Sequence, residues 1–188
     1  KTNSNTMTHQ NQNLITKSTM ELQSNQSRFA TDNKKEALAI FEAIPTPREK
    51  EEDWRYTKID NFKLDNFDLD NNETKIHATL IEDLEEKGII LTDINTAFEK
   101  YPIAQQYFFK NTKIDKDKFV ALSAAHFTNG IFLFVPKNVE LEEPIRINFN
   151  FDGQNSILHN IIIIEPNSKI DFIEEYSNKE ISQEQLNC

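Results

Sequence analysis

The chain has 188 residues, 37% of them hydrophobic, and its 31 acidic against 21 basic side chains give a net charge of −10. That length suits one domain with a real core and a small helical extension. The acidity weighs against work on a nucleic-acid backbone or an anionic membrane, where cationic contacts supply the affinity, and its plain effect is solubility.

No apolar run approaches the roughly 18–20 residues of a membrane-spanning helix, and the polar start lacks the continuous apolar core of a secretory signal. A cytoplasmic location is the default expectation. The lone cysteine, Cys188, leaves no internal disulfide framework. The chain starts at Lys1, carries Met7 and Met20 as plausible true starts, and ends in a polar run just after an apolar one. We therefore expect a piece of a longer protein, with 177–188 a truncated polar end.

In chain order, residues 1–28 are rich in Asn, Gln, Ser and Thr and predict a disordered tail. Residues 33–44 predict a helix capped by Asp32 or Asn33, with Glu36 placed to reach back. Ala37, Phe41 and Ile44 share its face, and Pro45 and Pro47 end it. Residues 48–59 read as a further helical segment anchored by Trp54, the single tryptophan. The alternative for Trp54 is an interface hot spot. Residues 61–72 read as an edge strand or an aromatic-pinned loop. Asp65, Asp68 and Asp70 lack the glycine and distal glutamate of a calcium loop, so a solvated acidic loop is the better reading. His77 has no second ligand at metal spacing.

Residues 76–87 predict a helix, since Ile76, Leu80 and Leu84 fall on one stripe and Gly88 is a natural stop. A short strand follows at 88–91. Helical pieces at 93–101 and 103–109 are divided by Pro102. A helix at 115–128, capped by Asp115, carries Phe119, Leu122 and His126 on one face; His126 reads as structural rather than as a base. Then come four β-rich runs at 131–135, 145–149, 161–164 and 170–173, punctuated by Pro, Asn, Asp, Gly and Ser. The second and fourth alternate, giving one wet face. The unbroken isoleucines at 161–164 predict a strand covered on both faces. Helices leading into unmixed strands give an α+β fold class, the strands forming a sandwich, a barrel or the first coils of a β-helix.

Chemistry-bearing motifs are missing. Gly88, Gly130 and Gly153 are too far apart for a phosphate loop. There is no nucleophile elbow and no zinc or iron–sulfur cysteine set. Glu142–Glu143 and Glu174–Glu175 are neighbours in sequence, so in strands their side chains would diverge. No catalytic, cofactor-binding or metal-ligating residue is expected, and the residues alone say only assembly or scaffold domain.

Particular strings say more. Glu52-Asp53-Trp54-Arg55-Tyr56-Thr57 follows Ile44-Pro45-Thr46-Pro47; the stretch 119–125 leads to Asn129-Gly130 and on through Pro136-Lys137 to Glu142-Glu143-Pro144-Ile145. Further on stand 161–165, Asn167-Ser168 and Ile173-Glu174-Glu175-Tyr176. In order and spacing, from about residue 29 to 176, these resemble the SufB/SufD family of Suf iron–sulfur cluster assembly proteins. The tryptophan-bearing signature and the missing cysteines favour the SufD branch.

The resemblance implies a mainly helical N-terminal region at 29–128 and the start of a right-handed β-helix (β-solenoid) core at 129–176. It also implies a non-catalytic scaffold subunit beside a SufB-like paralogue and a SufC-like ATPase. Those partners would be held mainly by regions outside this chain, and the iron–sulfur cluster would be handled by the complex rather than by this fragment. Trp54, Arg55, Tyr56, Gly130, Pro136, Glu142, Glu143, Pro144, Glu174, Glu175 and Tyr176 are then signature or structural positions. Departures from the family pattern are Asn129 in place of an acidic residue, Asn138 in place of glycine, and His159-Asn160 where an arginine is usual. Asparagine tolerates the left-handed backbone, so the turn at Asn138 should survive. Competing readings are a β-solenoid enzyme acting on acyl or sugar groups, disfavoured by the uneven run spacing, and a generic protein-interaction domain.

Overall fold

The computed structural model describes residues 19–22, 25–57, 59, 74–79, 81, 83–151 and 156–178. Its strands are β1 (Thr19–Leu22), β2 (Lys75–Thr79), β3 (Ile90–Asp93), β4 (Ile131–Val135), β5 (Ile145–Asn150), β6 (Ile161–Ile164) and β7 (Phe172–Ser177). Its helices are α1 (Arg28–Ala43), α2 (Ile94–Lys100), α3 (Pro102–Tyr107) and α4 (Lys118–His126). One sheet runs β1-β2-β5-β7 and the other β3-β4-β6, and neither closes into a barrel. The fold is mixed α+β.

The second half of the chain lies on itself. β4 pairs in parallel with β6, Phe132 opposite Ile161, and β5 in parallel with β7, Ile145 opposite Phe172. Single parallel bridges join Asn129 to Leu158 and Glu140 to Lys169. The offset is 29 residues from Asn129 through Glu140 and falls to 27 at β5. The second pass therefore turns its corner with two residues fewer, and Glu142 and Glu143 stand out as the extra, exposed pair of the first.

Like side chains stack between the two passes. Asn138 and Asn167 both adopt φ of 62°, and the Asn167 amide donates to the Asn138 Oδ1 at 3.2 Å. The left-handed turn anticipated at Asn138 is present. Lys169 pairs with Glu140 at 3.1 Å and Arg146 with Glu175 at 3.6 Å, both on the surface, where such pairs stabilise little. The Ser168 hydroxyl donates to the Pro136 carbonyl and accepts from the Val139 N–H, fixing the corner.

Two apolar cores result. Between the sheets, Leu22, Ile76 and Ala78 meet Ile131, Leu133, Val135, Ile145, Ile147 and Phe149. On the other face of β4 and β6, Phe132, Ile161 and Ile163 pack against Ile94, Phe98, Leu122 and Phe127 of the helical layer. α1 packs on α4. The Lys118 ammonium locks that pair by donating to the Phe41 and Ile44 carbonyls at 2.8 and 2.9 Å, which the end of α1 leaves without helical partners.

Several expectations need correction. Residues 76–87 are not a helix: β2 occupies Lys75–Thr79, with Ile76 and Ala78 buried between β1 and β5, and residues 83–88 form turns. Gly88 does stop that segment, at φ of 71°. The region 29–128 is thus not purely helical, and β1 lies inside the expected tail. α1 begins at Arg28 with Ser27 as its cap, whose hydroxyl accepts from the Ala30 N–H; Asn33 instead donates to the Phe29 carbonyl inside the helix. The cap of α4 is Asp117 rather than Asp115.

Residues 49–57 are successive turns held by i to i+3 bonds rather than a helix. The last strand is Phe172–Ser177, later than 170–173, because Ile170 and Asp171 turn the corner. Nor is β6 covered on both faces. Ile162 and Ile164 continue the column of Leu133 and Val135, yet remain 40% and 47% exposed, because no further strand lies over them among the described residues. The loop at 61–72, with Asp65, Asp68 and Asp70, and the ends at 1–18 and 179–188 fall outside the described residues. The strands at 90–93, 131–135, 145–150 and 161–164 and the two helices about Pro102 stand where the sequence put them, within a residue or two.

At Gly130 the two passes come close together. This glycine has φ of 154°, and a Cβ there would meet the His159 carbonyl oxygen at 2.0 Å. Gly88 shares the positive φ, but a Cβ there would find only Pro136 Cγ at 3.5 Å. Gly130→Ala should therefore lower unfolding free energy by at least about 2 kcal/mol, against about 1 kcal/mol for Gly88→Ala. Urea denaturation of both variants checks this, and equal losses would contradict the close approach.

Candidate binding cavity

Four segments distant in sequence meet at one hollow: Trp54 from the turns, 107–112 after α3, the first turns of α4, and 159–162 leading into β6. The cavity holds about 560 Å³, within the usual size of small-molecule sites. Half-buried Trp54 tilts against Phe119 with ring centroids 5.2 Å apart, and its segment is not helical. Lys110 holds its ammonium 3.9 Å above the Tyr107 ring. Asp117 faces the hollow, but its Oδ1 already accepts the N–H groups of Phe119 and Val120 at 2.8 and 2.9 Å. Asn160 accepts from the Ile131 N–H and donates to Glu174.

His159 is the unusual member. Its imidazole lies within an aromatic box: Phe109 stacks on it at 4.6 Å, Phe108 meets it edge-on at 5.1 Å and Phe127 tilts against it at 5.5 Å. Its Nε2 is buried without a hydrogen-bond partner, a cost that native interiors seldom tolerate. Burial drops its pKa to about 4, so the ring is neutral at pH 7. Phe109 sits at φ of 47°, a left-handed conformation rare for a side chain of its size. Lys34 places its ammonium 4.5 Å from the Phe127 ring, and burial lowers its pKa to about 8.

The signature positions do not assemble into one site. Trp54 lines the cavity, while Arg55 pairs with Glu52 at 3.0 Å and lies over the ring of Tyr56, which is 88% exposed. Gly130 is the contact between passes. Pro136 and Pro144 are half-buried at corners, and Glu142 and Glu143 are exposed at one. On the edge strand, Glu174 accepts from Asn160 and from the Tyr176 hydroxyl, and Glu175 pairs with Arg146. Tyr176 stacks on Phe149 and Phe151; burial, then its bond to Glu174, raises its phenol to about 12. His126 lies edge-on to Phe41.

Among the described residues, no group of three or more His, Cys, Asp or Glu could hold a metal ion, and no helix is long and apolar enough to cross a membrane. Sequence reasoning passed over His159 and Phe109 as site residues. No sequence signal joins them, because the Phe108-Phe109 pair and the histidine before the isoleucine run lie far apart in the chain and meet only in the fold.

Comparison with known proteins adds the identity. Residues 80–147 match the model of the SufBD protein N-terminal region. The chain is 36% identical over 109 residues to the iron–sulfur cluster assembly protein SufD of Bacillus subtilis, covering 56% of this chain and 25% of that protein. It is 30% identical over 102 residues to iron–sulfur cluster assembly SufBD family proteins of Staphylococcus haemolyticus and Staphylococcus aureus, covering 53% of this chain and 22% of theirs. The chain thus spans about a quarter of the length of these relatives. Over the matched region the chain carries the SufBD N-terminal pattern and is SufD-like.

His159 yields a sign-definite pH effect. Its pKa falls from 6.5 to about 4 on folding, so the unfolded chain binds the proton more readily. Its contribution is level above pH 6.5 and turns unfavourable as pH falls towards 4, by up to about 3 kcal/mol. Subtracting the pH–stability curve of His159→Gln from that of the parent should isolate this slope. Parallel curves would show that the imidazole is not buried neutral.

Proposed function

We propose that the chain is part of a scaffold subunit of a Suf-type iron–sulfur cluster assembly complex. In this reading the passes at 129–151 and 156–178 are the opening coils of a right-handed β-helix. The observation that carries it is the parallel self-pairing of the chain at an offset of 27–29 residues. A hairpin or meander would pair the same runs antiparallel. The names and greater length of the relatives agree with it.

A coil of this kind leaves its last strands with unpaired backbone groups, which normally are covered or paired. In our reading a further coil lies on β6 and β7 and covers Ile162, Ile164 and Tyr176. The subunit then works in the cytoplasm beside a SufB-like paralogue and a SufC-like ATPase. It supplies shape rather than chemistry, and the iron–sulfur cluster is cargo of the complex. Support for a non-catalytic role lies in the dispersal of the signature residues over turns, corners and edge.

The test is affinity purification of the tagged protein that contains this chain, from the cell that makes it. Stoichiometric recovery of the paralogue and the ATPase is the expected result, and recovery of neither would overturn the reading.

A further inference from the structure

The cavity beside His159 has features that packing alone does not call for. The Nε2 atom of His159 lacks a partner, although His159 lines a hollow to which Asn111, Thr112 and Ser123 also contribute. Phe109 lines that hollow and lies flat on the imidazole while its backbone occupies a conformation costly for any residue with a Cβ. Trp54, Tyr107 and Phe119 add aromatic walls, and Val120, Ile161 and Ile162 add aliphatic ones. A strained aromatic cover, an unsatisfied polar atom beneath it and an open space alongside are three separate observations at one place.

We propose that this cavity binds a small, uncharged, planar ring compound bearing a hydrogen-bonding nitrogen or oxygen, which displaces Phe109 from His159 and engages Nε2. The ligand's ring enters edge to edge with the imidazole, its polar atom in the plane of the ring at Nε2, and Phe109 leaves its left-handed backbone as it moves aside. The described lining carries one acid, Asp117, already engaged at the N-terminus of α4, and one base, Lys110, so its charges balance and select for neither sign. A planar ring suits the aromatic walls, where offset and edge-on packing favours flat partners. The polar atom of the ligand gives Nε2 the partner it lacks, and an isostere without such an atom leaves the nitrogen unsatisfied and binds more weakly.

The test uses benzimidazole as the probe and indene as its apolar counterpart, titrated into the chain at pH 8, where benzimidazole is uncharged. Emission from Trp54 reports occupancy of the cavity, and long-range proton–nitrogen spectra report the His159 ring. Benzimidazole should saturate the fluorescence change, shift the His159 Nε2 resonance and bind about tenfold more tightly than indene. Phe109→Gly, which removes both cover and strain, should tighten benzimidazole about tenfold. His159→Phe, which keeps a flat ring and deletes the nitrogen, should bring benzimidazole down to the level of indene. Absence of saturable binding up to about 5 mM, weaker binding by Phe109→Gly, or unchanged preference in His159→Phe would each overturn the proposal.

Discussion

The close stacking of one pass of chain on the next is the constraint on which the rest of this structure depends. Parallel strands cannot be joined by a tight turn, so the chain must travel round a circuit before it meets itself. That circuit encloses the apolar core between the sheets. Gly130 lets the passes come together at their start, because its missing side chain leaves space for the His159 carbonyl. From there β4 supports β6, the asparagine pair aligns the first corner, and β5 supports β7. The two-residue difference at 141–144 leaves Glu142 and Glu143 exposed at the corner, and beyond it β5 and β7 pair at a constant offset of 27.

The helical layer is fitted onto that frame. Phe132, Ile161 and Ile163 present an apolar face on the outside of the circuit, and α2, α4 and the start of α1 cover it. Aromatic rings do much of the covering: Phe29, Phe98, Phe108 and Phe127 form one edge-on and tilted cluster, which His159 joins. Such a cluster buries large areas while leaving gaps where the rings cannot interdigitate. The cavity lies beside this cluster rather than within it, walled by Trp54, Tyr107, Phe109 and Phe119 where the layer meets the rim of β6.

What could be read from sequence follows from how local its cause is. Ile131–Val135, Ile145–Asn150 and Ile161–Ile164 declare themselves by β-branched and aromatic content between turn residues. Asp93 and Pro102 mark helix starts because capping and proline act within one turn. β2 was hidden. Ile76, Leu80 and Leu84 satisfy a helical stripe, while the strand's partners at 19–22 and 145–150 lie far off in sequence. The exposure of Ile162 and Ile164 is likewise decided by what lies over them, about which an isoleucine run is silent. The likeness to SufD was legible in scattered strings rather than in any catalytic motif. The cavity was not, since its walls come from four segments and its oddest features are a backbone angle at Phe109 and an unpartnered nitrogen at His159.

The most direct test of the stacked circuit is the pattern of cross-strand nuclear Overhauser effects in the isotope-labelled chain. The account requires Phe132–Val135 to contact Ile161–Ile164, and Ile145–Asn150 to contact Phe172–Ser177, both in parallel register. Antiparallel contacts between either pair, or pairing of β5 with β6 as a simple hairpin, would contradict it.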